Sequence, residues 1–180
     1  GAATSLREFE LFIKKYYPDF TAILKRYGSV QIRNVGTIAG NIATASPIGD
    51  TLPLLLSLDA KVVLQSLNKK TILPLNFFFI SYRKTKLKKR QFIHSIIIPI
   101  LKKNIFKAYK ISKRIDDDIS SVCASFNLEI KNKKIKNIKI AYGGMASIPK
   151  RAINCEKTLI NTNISEENIE KAKKILEKDF

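Results

Sequence analysis

From Val35 to Gly49 the chain carries no charged side chain, although 33 Lys plus Arg and 15 Asp plus Glu are spread through its 180 residues. The surrounding stretch, SVQIRNVGTIAGNIATASPIGD, is rich in Gly, Thr, Ser, Asn and Ala and keeps neither helical nor strand periodicity for long. It reads as a loop laid over a core that other elements must build. Its small side chains leave backbone N–H groups open, and a turn lined by such groups is a concavity suited to an anion. Gly36 and Gly40 permit backbone geometry that other residues resist. Thr37, Asn41, Thr44 and Ser46 supply short donors and acceptors, and Asp50, where the next helix starts, is placed to accept from a ribose hydroxyl. The pattern is neither G-x-G-x-x-G nor a Walker loop. The residues alone reach a nucleotide-type ligand, with the capping of helices and turns as the competing use of the same side chains.

The elements on either side are easier to read. Ser5 and Glu8 form a capping-box pair, and Leu6, Phe9, Phe12, Ile13 and Tyr16 continue a helical stripe that Pro18 closes. A short helix around Phe20 to Arg26 ends at Gly28, and TLPLLLSL reads as a buried helix. AKVVLQS and TILPL flank an Asn68–Lys70 turn as strands, and FIHSIIIP is a β-branched strand that stops at Pro99. Beyond the break at Lys102 to Asn104, NIFKAYKIS, SVCASFNLEI and KIKNIKIAYGG read as three strands. PKRAINCEKTLI and SEENIEKAKKILEK then read as helices. The chain is thus expected to be α+β, with a mixed first part over residues 1–103 and a three-stranded sheet packed by helices over residues 104–180.

Composition narrows the functional classes. The net charge of +18 comes from 26 Lys and 7 Arg. Phosphate and base recognition favour the bidentate fork of Arg, so a lysine-dominated surplus alongside abundant Ile and Asn is as well explained by an AT-rich genome. Nucleic acid is not the expected partner. The longest apolar runs fall well short of the roughly 18 residues that suggest a membrane span. Cys123 and Cys155 lie far apart and His94 is the single histidine, so no His/Cys metal site or Cys-rich iron–sulfur site is expected within this chain. Cys123 reads as a small buried hydrophobe, Cys155 as the same or a partly exposed thiol, and His94 as a structural residue of its strand.

RYGSVQIRNVGTIAGNIATASPIGDTLPLLLSLDAKVVL resembles the flavin-binding segment of the molybdenum hydroxylases, and three further stretches extend the resemblance in order. They are FFISYRKTKLKKRQFIHSIIIP, FKAYKISKRIDDDISSV and YGGMASIPKRA. The resemblance implies the second lobe of a PCMH-type FAD-binding domain, followed by a C-terminal domain like that of the carbon monoxide dehydrogenase flavoprotein. It gives Tyr27 an aromatic position against FAD, and Thr37, Ile38, Ala39, Gly40 and Asn41 the family's T-[IL]-G-G-N stretch. Ala39 departs from that pattern, tolerably if its φ is negative and at a cost if not. Thr44 and Ser46 fall in the same loop, and Asp50 matches the acidic residue that bonds the FAD sugar. Ile93 matches an apolar position whose backbone borders the flavin. Lys110 matches a lysine whose charge favours a reduced, anionic flavin, with Asp116 to Asp118 in the loop beside the ring.

The same resemblance implies electron transfer through FAD to NAD, fed by [2Fe-2S] clusters and a molybdopterin centre on partner domains, during purine hydroxylation by a cytoplasmic enzyme. It also implies that the family's N-terminal FAD lobe and its extreme C-terminus are not in this chain. The alternative is a basic, non-catalytic scaffold or nucleic-acid-binding module that keeps the flavoprotein fold without FAD.

Overall fold

A computed structural model describes residues 1–101 and 103–180. The capping box forms as expected: the Ser5 hydroxyl accepts from the Glu8 N–H, and the Glu8 carboxylate accepts from the Ser5 N–H at 2.7 Å. It starts α1 (Leu6–Ile13), whose buried face carries Leu6, Phe9 and Ile13. Pro18 does more than close that helix. It is the first residue of α2 (Pro18–Lys25), where its missing N–H costs nothing.

The stretch from Ser29 to Asp50 departs from the loop expectation. It folds into two short helices, α3 (Val30–Val35) and α4 (Ile38–Thr44), each begun by a hydroxyl cap. Ser29 accepts from the Ile32 N–H, and Thr37 accepts from the Gly40 N–H at 3.0 Å. Periodicity missed them because each is under two turns long, so no apolar stripe repeats. Ala45, left-handed at φ 48°, ends α4, and α5 (Thr51–Ser57) follows as the fully buried helix expected.

Two antiparallel sheets complete the molecule. The smaller has the order β2-β1-β5, from β1 (Lys61–Gln65), β2 (Lys70–Pro74) and β5 (Phe92–Ile97). A hairpin of β3 (Phe79–Ser81) and β4 (Lys84–Thr85) lies between them in sequence. The larger sheet carries the three long strands expected, β6 (Ile105–Ser112), β7 (Ser120–Lys131) and β8 (Lys134–Gly143). A fourth strand of two residues, β9 (Lys150–Arg151), pairs with β8. It takes the first residues of the PKRAINCEKTLI segment, so α6 spans only Ile153–Leu159, followed by α7 (Glu166–Leu176). The turn between β7 and β8 uses Asn132 and Lys133, both at positive φ, the geometry that matches strand twist in a two-residue hairpin.

The main core does not stop at the break near residue 104. Phe20, fully buried, meets Phe9 edge-on at 5.3 Å and Phe106 in a stacked arrangement at 6.3 Å, while Cys123 and Ala141 complete the same cluster. A second core joins α6 and α7 to β8 through Ile135, Ile138, Ile140, Leu159 and Ala172. Gly143 and Gly144 turn the chain against the first part, where the Gly144 N–H donates to the Pro47 carbonyl at 2.8 Å. Gly144 has φ +90°, and a Cβ there would lie 2.2 Å from the Ser121 carbonyl oxygen. Gly144→Ala is expected to cost at least about 2 kcal/mol, read as a lower denaturant midpoint at unchanged slope, because both the conformation and the space exclude a side chain.

Candidate functional site

Helices α3 and α4, with the residues that flank them, form one wall of a cleft of about 510 Å³. Gly28, Gly36, Thr37, Gly40, Asn41 and Thr44 line it from that side. Ser46, Gly49 and Asp50 continue the lining, and Lys110 of β6 with residues 117–120, up to the start of β7, forms a second wall. Small residues make this room. A Cβ on Gly40 would stand 2.9 Å from the Thr37 hydroxyl oxygen and collide with the cap that starts α4. Gly28 is left-handed at φ +53°, which lets the chain turn from α2 into α3.

Two hydrogen-bonded chains stiffen the walls. In the first, the Asn41 amide donates to the Tyr27 hydroxyl at 2.7 Å and accepts from the Thr51 hydroxyl. Burial pushes the Tyr27 phenol above its ordinary range, and the Asp50 carboxylate adds to the shift. In the second, the Lys110 ammonium donates to the Asp50 carboxylate at 2.7 Å and to the Arg26 carbonyl at 3.0 Å. The Ser120 hydroxyl donates to the other Asp50 oxygen. The Lys110 and Asp50 side chains are 2% and 5% exposed, so this pair is cut off from water. On the far wall, Asp118 organises its own turn, accepting from the Arg114 and Ile119 N–H groups at 2.8 Å each. Those two bonds hold its carboxyl below the usual range.

The site residues expected from the sequence therefore separate into three groups. Tyr27, Thr37, Gly40, Asn41, Thr44, Ser46, Asp50 and Lys110 meet at the cleft. Ile38 and Ala39 belong to the same helix but turn their side chains into the core, at 2% and 6% exposed. Ala39 lies within α4 and is not among the positive-φ residues, so the missing glycine carries no strain. Ile93 is not brought to the cleft; it pairs with Leu64 across β1 and β5 and is buried in the core. Each Asp50 oxygen already accepts one hydrogen bond, from Lys110 or from Ser120, and keeps a lone pair for a further donor. Lys110 is buried at the cleft wall. Sequence reasoning missed Arg26 and Ser120, whose partners lie 84 and 70 residues away and leave no local signal.

The cysteines stand apart from this chemistry. Cys123 is fully buried, with its Sγ 3.6 Å from the Asp50 carbonyl, and burial pushes its thiol far above the reactive range. Burial and the carboxylates of Asp179 and Glu156 push Cys155 up to about 11. At pH 8 only about a thousandth of Cys155 would be thiolate. Labelling of the native protein with a thiol reagent is expected to run orders of magnitude slower than that of the unfolded chain.

A family model described as the FAD binding domain in molybdopterin dehydrogenase matches residues 1–101. The chain belongs to that family. A second model, the CO dehydrogenase flavoprotein C-terminal domain, matches residues 107–180. This FAD-binding domain is 37% identical over 168 residues to a xanthine dehydrogenase of Emericella nidulans, covering 89% of the chain and 12% of that protein. It is 34% identical over 176 residues to the xanthine dehydrogenase of Blastobotrys adeninivorans, covering 96% of the chain and 12% of that protein. Carbon monoxide dehydrogenase from Hydrogenophaga pseudoflava shares its fold, with a TM-score of 0.91 at 22% identity over 97% of this chain and 62% of that one. The chain thus spans about an eighth of the curated relatives it matches. Among the described residues, no helix is long and apolar enough to cross a membrane.

Proposed function

We propose that the cleft holds FAD and that the chain is the flavin-bearing part of a cytoplasmic, xanthine dehydrogenase-like molybdenum hydroxylase. The observation that carries this reading is the convergence of Tyr27, Thr37, Gly40, Asn41, Thr44, Ser46, Asp50 and Lys110 on a single cleft. The family membership and the xanthine dehydrogenase relatives support it. The residues fit the cofactor: the volume is that of a small-molecule site, and the Gly40 cradle would be filled by any larger side chain.

Bound there, FAD would supply two-electron chemistry, receiving electrons from [2Fe-2S] clusters fed by a molybdopterin centre during purine hydroxylation and passing a hydride to NAD. The chain's own residues bind, orient and set the local field. Gly40 adds no side chain to the cleft wall and the Thr44 hydroxyl beside it donates to the Gly40 carbonyl at 2.9 Å, while Asn41 holds the Tyr27 hydroxyl through its amide. Lys110 and Asp50 contribute a buried ion pair at the wall, its ammonium also held by the Arg26 carbonyl. No side chain in the cleft is required as nucleophile or general base. Anaerobic mixing of the flavin-loaded protein with NADH tests the acceptor. Rapid bleaching of the yellow absorbance is expected, and a flavin that stays oxidised under NADH contradicts NAD as the partner.

A further inference from the structure

Arg26 ends α2 one residue before the cleft begins, yet its guanidinium points away from its own helix. Its Nη1 donates to the Lys110 carbonyl at 3.0 Å, its Nε to the Ile115 carbonyl at 2.8 Å and its Nη2 to the Ser112 hydroxyl at 3.1 Å. Lys110 returns the contact by donating from its ammonium to the Arg26 carbonyl at 3.0 Å. Four bonds therefore join one residue of the first family segment to the end of β6 in the second. The Ser112 hydroxyl also donates to the Arg114 carbonyl, so the clasp reaches the turn that carries Asp117, Asp118 and Ser120 to the far wall.

We propose that Arg26 is a positioning residue for the cleft: its fork fixes the segment from Lys110 to Ile115, and thereby holds the Lys110 ammonium against Asp50 and sets the distance between the two walls. A planar fork suits this task, because three acceptors lie around one rigid group, an arrangement that a lysine's single ammonium cannot reproduce. Around Lys110 the backbone hydrogen bonds to β7 fix only one side of the strand, since β6 is an edge of its sheet. Arg26 supplies the constraint on the other side. The geometry stands by itself; only its consequence for affinity rests on reading the cleft as an FAD site.

The test compares the chain with Arg26→Ala and with Leu159→Ala, a control that loosens the second core instead. The first readout needs no cofactor: acetylation of Lys110, followed site by site by mass spectrometry under native conditions. Arg26→Ala is expected to speed it about tenfold or more, as the loss of charge-assisted hydrogen bonds would allow, and Leu159→Ala is not. Arg26→Lys should recover only part of the protection. In the flavin-loaded protein, Arg26→Ala should weaken FAD binding about tenfold and shift the flavin midpoint potential. Unchanged protection of Lys110 in Arg26→Ala, or equal exposure in the Leu159→Ala control, would overturn the proposal. Exposed Lys110 in a protein whose parent takes up no FAD would leave the positioning role standing and refute the cofactor reading.

Discussion

Lys110→Ala is expected to destabilise the protein by about 3–5 kcal/mol, the cost of leaving a buried carboxylate without its cation. Asp50 would keep only the Ser120 hydroxyl, in a position 4% exposed to solvent. For a domain of this size the loss corresponds to a fall in Tm on the order of 10 °C. Replacing both partners together, as Lys110→Met with Asp50→Asn, should recover most of the loss, because neither residue then leaves a buried charge behind. Thermal denaturation of the two single variants and the double variant gives the coupling directly. Equal, additive losses would show that the pair is not the unit the geometry makes it.

Phe20→Ala carries the second large effect. Phe20 is fully buried between Phe9 of α1 and Phe106 of β6, so its ring fills the core on both sides of the break near residue 104. Removing it should cost about 3–5 kcal/mol, through lost burial and the cavity left behind. The form of the transition is as informative as its midpoint. With the core shared, both family segments should unfold in one step at a lower denaturant concentration, with fluorescence and circular dichroism coinciding. Two resolved transitions in Phe20→Ala would mean that the segments are held together by less than this cluster.

Long periodic elements were legible in the sequence. The capping box, the buried TLPLLLSL helix and the three long strands of the larger sheet all form where residue patterns put them. The two helices of the cleft wall were not legible, because six and seven residues are too few for a stripe to repeat. The pairing of β9 with β8 was hidden for a similar reason: two residues make a strand only when a neighbour is already in place. At the site, the family motif brought eight residues to one cleft, but it carried no sign that Asp50 and Lys110 pair. Each reads as a free polar group along the chain. Their pairing comes from β6 of the larger sheet lying beside the start of α5, a contact between residues 60 apart. Arg26 escaped notice on the same ground, as its partners lie on β6 and in the turn after it.

The surplus of lysine, by contrast, plays little part in the cleft. Among the described residues that line it, only Lys110 and Arg83 are cations, and Lys110 is already paired with Asp50. Binding there should accordingly depend weakly on salt compared with the steep dependence of a polyanion contact. Equilibrium titration of FAD tests the central claim most directly. The chain is joined behind the family's N-terminal FAD lobe, and flavin fluorescence quenching is followed for that protein and for its Asn41→Ala, Asp50→Ala variant. The account predicts saturable binding of one FAD per chain and a yellow protein, with binding lost in the double variant while its circular dichroism stays native. A folded, colourless protein that never saturates with FAD would contradict it.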